Sequence, residues 1–219
     1  VDSVAYAELH CRSNFSFLHG AAHPEQLAER AAELGLAALA LTDRNGLYGV
    51  VRFAEAARAV GLPTVFGAEL GCTGDEHGDG AHDADGDLVV LADGPAGYAR
   101  LSRAVSEGQL AGSKNEPVFR LHTVAGTVRG HCSVLTGGPG GIVPRALARH
   151  GPNAARRSLA CMVEAFGPDR VLVELWDHGD PTDAVRNDLL VRMAADMDLR
   201  CVATNNVSYA VSSQHRLAT

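Results

Sequence analysis

The chain has 219 residues, 46% of them hydrophobic and 21% charged, with a formal net charge of −7. That is enough apolar material to fill a core, so intrinsic disorder is excluded, and the size suits one large domain or two small ones. No apolar run approaches the ~20 residues of a membrane span, no signal peptide opens the chain, and the negative balance argues against a surface that grips phosphate backbone everywhere.

Short apolar runs alternate with Ala-rich helical stretches. Val4–His10 reads as a strand, followed by a helix over Pro24–Leu34, with Pro24 suited to a first helical turn and Gly35 to the position just past a helix end. Ala37–Leu41 is a second strand, then a helix over Leu47–Val60 closed by Gly61. Thr64–Leu70 and Leu88–Ala92 are the third and fourth strands, the latter followed by a helix over Ala96–Leu110. Ser133–Thr136 leads into helices at Ile142–His150 and Asn153–Phe166. Val171–Trp176 leads into a helix at Pro181–Met197, and Arg200–Thr204 into a last helix near Ser212. Two segments, 71–86 and 111–130, read as loop excursions, the second carrying a short hairpin or extended stretch at Val118–Leu121.

These seven β-then-α units have strands that are apolar on both faces, the mark of a parallel sheet covered on both sides. Right-handed crossovers leave a doubly wound open sheet or a closed barrel, and periodicity does not choose between them. Either way, chemistry collects at the C-terminal strand ends.

Polar residues stand at nearly every one of those ends. The first strand delivers His10-Cys11-Arg12-Ser13, with His19 in the following turn, and the second delivers Thr42-Asp43-Arg44. The third delivers Glu69 and the fifth Thr136-Gly137-Gly138. The sixth delivers Glu174 with Asp177 and His178 beyond it, and the seventh Thr204-Asn205-Asn206 and then Ser208. Each alone is commonly a structural group; together they point to one shared site.

Other signals weigh less. The five cysteines are scattered without a C-x-x-C pair, which reads as reduced, mostly buried thiols. Asp83, Asp85 and Asp87 form a D-x-D-x-D run that lacks the glycine and closing glutamate of a calcium loop, so it reads as a solvated loop. Gly137-Gly-Pro-Gly-Gly141 precedes a helix but lacks the Lys-Ser/Thr of a P-loop. Trp176 reads as packing, and His77, His82, His122, His131 and His150 as surface residues. Ser13 and Ser16 lack a His–Asp relay. Of the ten histidines, enough to suggest a metal site, few sit at ligand spacing; the basic residues are almost all arginine, with Lys114 the one lysine.

Tyr6-Ala-Glu-Leu-His-Cys-Arg-Ser-Asn-Phe-Ser-Phe-Leu-His-Gly20 resembles the opening motif of PHP (polymerase and histidinol phosphatase) domains. Leu39-Ala-Leu-Thr-Asp-Arg-Asn-Gly-Leu-Tyr-Gly49, Val65-Phe-Gly-Ala-Glu69 and Val202-Ala-Thr-Asn-Asn-Val-Ser-Tyr209 match later motifs in order and spacing. The likeness covers essentially the whole chain and is nearest to the N-terminal PHP domain of bacterial C-family DNA polymerases. Arg52-Phe-Ala-Glu-Ala56 and Val173-Glu-Leu-Trp-Asp-His-Gly-Asp-Pro181 resemble the error-prone branch.

The resemblance implies an α/β fold, a distorted seven-stranded (β/α)7 TIM-like barrel of the PHP type, with residues 1–219 a single PHP domain cut from a longer polymerase. In active members nine rim ligands hold up to three metal ions for phosphoester hydrolysis. Carried over position by position, His10, His19, Glu69 and Asp87 are remnant ligands, while Arg12, Arg44, Gly138, Asn206 and Ser208 stand where ligands belong. Arginine offers a cation no lone pair, glycine no side chain, and asparagine and serine only weak neutral oxygens. No tightly bound cofactor is therefore expected; zinc or manganese would bind weakly at most, and magnesium would serve the parent polymerase. Arg12 or Arg44 is expected to pair with Glu69, Asp43 or Asp87 in place of the metal. The implied function is a structural and interaction scaffold for translesion DNA synthesis by the parent chain; the alternative is a metal-dependent phosphoesterase or 3′–5′ proofreading exonuclease. Implied partners are the remainder of the polymerase, DNA through the parent enzyme, and replication or mutagenesis proteins such as the sliding clamp. The implied location is the cytoplasm, with no membrane contact.

Overall fold

The computed structural model describes residues 5–74 and 84–217. Along the chain run β1 (Ala7–Glu8), α1 (Pro24–Glu33), β2 (Ala38–Arg44), α2 (Val50–Ala59), β3 (Thr64–Thr73), β4 (Gly86–Ala92), α3 (Gly94–Ala111), β5 (Phe119–Arg120), α4 (Leu121–Val128), β6 (Cys132–Leu135), α5 (Ile142–His150), α6 (Pro152–Phe166), β7 (Val171–Leu175), α7 (Asp183–Asp196) and β8 (Arg200–Ala203). Asp83, His77 and His82 lie outside the described residues, and with them part of the D-x-D-x-D run.

The chain divides into two compact units, one running to Ala68 and taking in the stretch from Thr204, the other spanning Glu69–Ala203. In the first, β1 pairs with β2 in parallel, Ala7 opposite Ala38 and Glu8 opposite Leu39. β1 is far shorter than the expected Val4–His10. The carboxylate of Glu8 accepts the backbone N–H groups of His10 (2.8 Å) and Asn205 (2.8 Å), so a side chain takes donors that a ladder would otherwise use. Pairing resumes at a parallel bridge between Cys11 and Val207. α1 begins as its sequence dictates, with Pro24 in the first turn and the Gln26 side chain accepting the His23 N–H at 3.0 Å. Leu27, Ala28 and Ala31 of α1 and Phe53 and Ala57 of α2 bury against Leu39, Leu41 and Leu62, and Phe66 meets Phe53 edge-on at 6.2 Å.

In the second unit β6, β7 and β8 are parallel, with Val134 opposite Val171 and Val173 opposite Cys201. β4 departs from the expected all-parallel sheet: it runs antiparallel to β6, Val90 opposite Val134. Its residues Leu88–Leu91 are buried regardless of direction, so a continuous apolar run reported burial on both faces and not strand sense. In segment 111–130, β5 lies within the expected extended stretch at Val118–Leu121 and pairs in parallel with β3, but α4 follows directly where the rest was expected to be a loop excursion. Val124, Ala125 and Val128 bury one face of this two-turn helix, too short for its period to stand out in the sequence. α3 admits β5 closely because Gly108 has no side chain: a Cβ there would lie 2.2 Å from the Phe119 ring. The helix expected near Ser212 is a 3₁₀ run over Ser212–Leu217.

Candidate functional site

β1 and β2 run in parallel, so the segments after them leave from the same end of the first unit. His10 there is fully buried and its carbonyl accepts the Val207 N–H at 2.8 Å; the Arg12 N–H returns to the Val207 carbonyl at 2.9 Å. This crossed pair lays the segment carrying Asn206 and Ser208 alongside the segment carrying His10 and Arg12. Across it the Arg12 guanidinium donates to the Asn206 side-chain oxygen. Two positions that the resemblance names as substituted ligands are therefore in direct contact. The Ser208 carbonyl accepts the Ala21 N–H at 2.8 Å, tying in the turn that bears the exposed His19.

Asp43, at the end of β2, is 1% exposed. Its carboxylate accepts the Ser13 N–H (2.8 Å), the Ser13 hydroxyl (2.9 Å), the Ser16 hydroxyl (2.8 Å) and the Gly49 N–H (3.2 Å). Hydroxyls and backbone amides fill the lone pairs of Asp43, an arrangement that suits a buried carboxylate. Ser13 and Ser16 carry this network; the sequence placed Ser13 among the strand-end polar residues but offered no signal for Ser16. The Ser16 hydroxyl also accepts the Arg44 N–H at 2.9 Å, which fixes the backbone of Arg44 at the strand end. Beneath this layer burial raises the carboxyl of Glu8 above its ordinary range, although hydrogen bonds from Tyr6, His10 and Asn205 pull the other way.

In the second unit Glu69 is 2% exposed on β3 and Asp87 is half-buried on β4. Asp87 meets the glycine-rich loop: its N–H donates to the Gly140 carbonyl at 2.9 Å, and a Cβ on Gly140 would fall 2.4 Å from the Asp87 carboxylate. A side chain at Gly140 would therefore push the Asp87 carboxylate aside. Burial, with Asp87 and Asp85 adding to it, pushes the Cys72 thiol up to about 12. Gly138 is buried in the same loop, its carbonyl accepting the Gly141 N–H at 2.8 Å. Glu174 is buried on β7, and its N–H donates to the Thr136 hydroxyl at 2.9 Å.

Past β7, Trp176 is 4% exposed and packs beneath Arg186, whose guanidinium carbon lies 3.8 Å from the ring centroid. Arg186 also binds the Asp183 carboxylate and the Trp176 carbonyl. Trp176 is packing, as its sequence context indicated. His122, His131, His150 and His178 are surface residues. Among the described residues no three His, Cys, Asp or Glu side chains are grouped so as to hold a metal ion.

The family model for the PHP domain matches residues 8–178, and the chain belongs to this family. The chain is 49% identical over 218 residues to the error-prone DNA polymerase of Cutibacterium acnes, covering 98% of this chain and 19% of that protein. It is 48% identical over 217 residues to the error-prone DNA polymerase of Mycobacterium tuberculosis strain H37Rv, covering 99% and 20%. The chain thus spans about a fifth of the length of these curated relatives, and its likeness is to the error-prone branch. Two solved structures share its fold. One is assigned as a metal-dependent phosphoesterase of Bifidobacterium adolescentis (TM-score 0.64, 17% identity, 94% of this chain and 88% of that one). The other is an amidohydrolase of Chromobacterium violaceum with bound sulfate and no metal (TM-score 0.63, 19% identity, 94% and 88%).

Proposed function

We propose that this chain is the PHP module of an error-prone DNA polymerase, and that it serves the parent enzyme as a scaffold whose metal site has been replaced by direct protein contacts. The observation that carries this reading is the hydrogen bond between Arg12 and Asn206, two positions where active members present ligands. A fixed positive charge there, bonded to a neutral amide, does by protein contact what a bridging cation would do, and it repels a cation from the remaining donors. The four-donor shell around Asp43 supports the same reading, because that carboxylate is stabilised with no ion. The donor set is poor for the family's metals: of the positions carried over, Arg12 and Arg44 offer an ion no lone pair and Gly138 no side chain, Asn206 and Ser208 only weak neutral oxygens, and His10, His19, Glu69 and Asp87 alone remain to be shared among the ions. Zinc or manganese would then be held weakly if at all, and magnesium belongs to polymerisation by the parent chain. DNA, the rest of the polymerase and proteins such as the sliding clamp are the partners this role implies, in the cytoplasm and away from membranes.

The competing reading is phosphoester hydrolysis, either general or as a 3′–5′ exonuclease. Incubating the purified protein with nitrophenyl phosphate and with a mismatched primer end, in added manganese or zinc, separates the two. The scaffold reading predicts no turnover above the metal-only control. Turnover that disappears in Glu69→Ala would overturn it.

A further inference from the structure

The loop after β1 is built to hold apolar side chains in solvent. Phe17 is 80% exposed and Leu18 67%, and beside them stand Phe15 at 39%, Tyr48 at 57% and Val51 at 66%. The segments that bear these side chains are joined to one another. The Ser16 hydroxyl between Phe15 and Phe17 bonds Asp43 and the Arg44 N–H, and the Phe15 ring lies 5.6 Å from the guanidinium of Arg52 on α2. Arg52 is itself fixed by a bidentate pair with Glu25 at 2.6 and 3.0 Å.

The loop is rigidly held. The Ser16 carbonyl accepts the N–H groups of both His19 (2.8 Å) and Gly20 (3.0 Å), the Asn14 N–H reaches the Ala22 carbonyl at 2.8 Å, and the Ser13 hydroxyl accepts the Phe15 N–H at 3.2 Å. Leu18 sits at φ 63°, a left-handed conformation unfavourable for a branched side chain, and turns that side chain outward. Large apolar side chains exposed together on a preorganised loop and the helix start beside it mark a protein interface, and rigid aromatic anchors carry most of the energy of such interfaces.

We infer that Phe17 and Leu18, with Phe15, Tyr48 and Val51 around them, form the face on which the remainder of the polymerase chain docks. The relatives carry this region as about a fifth of one polypeptide, so the other four-fifths is tethered to it. Tethering gives a linked segment an effective concentration on the order of millimolar, which a second copy or a separate protein does not reach. The inference rests on the proposed membership of a polymerase, and it assigns that scaffold a specific contact.

The test uses the full polymerase chain carrying a photoreactive benzoylphenylalanine in place of Phe17, with a second protein bearing it in place of Leu110, an exposed residue of the other unit, as control. Irradiation of the Phe17 variant is expected to give an intramolecular cross-link to a peptide beyond residue 219, absent from the control. A cross-linked dimer, a cross-link to a different protein, or no cross-link at Phe17 overturns the inference. As a second readout, Phe17→Ser with Leu18→Ser in the full chain is expected to speed proteolytic release of this region by about tenfold; an unchanged rate overturns it. Primer extension by the same preparation keeps the two proposals apart: a chain that extends primers but fails both docking tests loses the interface alone, whereas one that extends none loses the polymerase reading.

Discussion

On the proposed reading, the hydrogen bond from Arg12 to Asn206 joins by direct contact two segments that a metal ion would otherwise bridge. A hydrogen bond to a guanidinium contributes about 1.5–3 kcal/mol when partly shielded from water, enough to hold together the two segments that the crossed bonds at Val207 align. Arg12→Ala and Asn206→Ala should therefore couple: a double-mutant cycle by urea unfolding is expected to give an interaction of about 1–2 kcal/mol, and additivity would show that the contact stabilises nothing. Asp183 belongs to the same scale. Burial raises its carboxyl, but the Arg186 pair and the N–H groups of His178 and Asp180 outweigh that and hold it at about 2. Because the folded value lies below the ordinary aspartate value of about 3.9, its contribution is fully present above that value and is lost as the pH falls toward 2. Acid unfolding of Asp183→Asn should accordingly show a shallower loss of stability between about pH 4 and pH 2 than the parent protein.

At the scale of elements, α5 was legible to the residue and α1, β4 and α6 nearly so, because proline, glycine and apolar runs mark their ends. β1 was not, since its pairing is cut short by the carboxylate of Glu8 taking donors from residues distant in sequence. The sense of β4 and the existence of α4 escaped for a related reason: both depend on which neighbour a short segment meets, and a run of four to eight residues carries no record of that. In the candidate site, strand-end positions located Asp43 and Asn206, but the partners that satisfy them come from other elements and had no local signal. Gly108 offers a test of the α3–β5 contact. Gly108→Ala is expected to destabilise the protein by about 1–3 kcal/mol, and Phe119→Leu to recover part of that loss; equal stability of Gly108→Ala and the parent protein would mean that the Phe119 ring has room to move.

For the molecule as a whole, the net charge of −7 takes on a different meaning once the family is established. On the proposed reading, a module of about a fifth of a polymerase has no need to grip DNA through its own surface, and the exposed apolar loop suits protein contact. Of the ten histidines that suggested a metal enzyme, the resemblance carries two, His10 and His19, to ligand positions, and it sets Arg12 and Arg44 where histidine would be expected. The central claim is that protein contacts have replaced the metal. Elemental analysis of the tag-free protein, equilibrated with zinc and manganese and then desalted, tests this most directly. The account predicts metal well below one ion per chain, and one or more tightly held ions per chain, lost in Glu69→Ala, would contradict it.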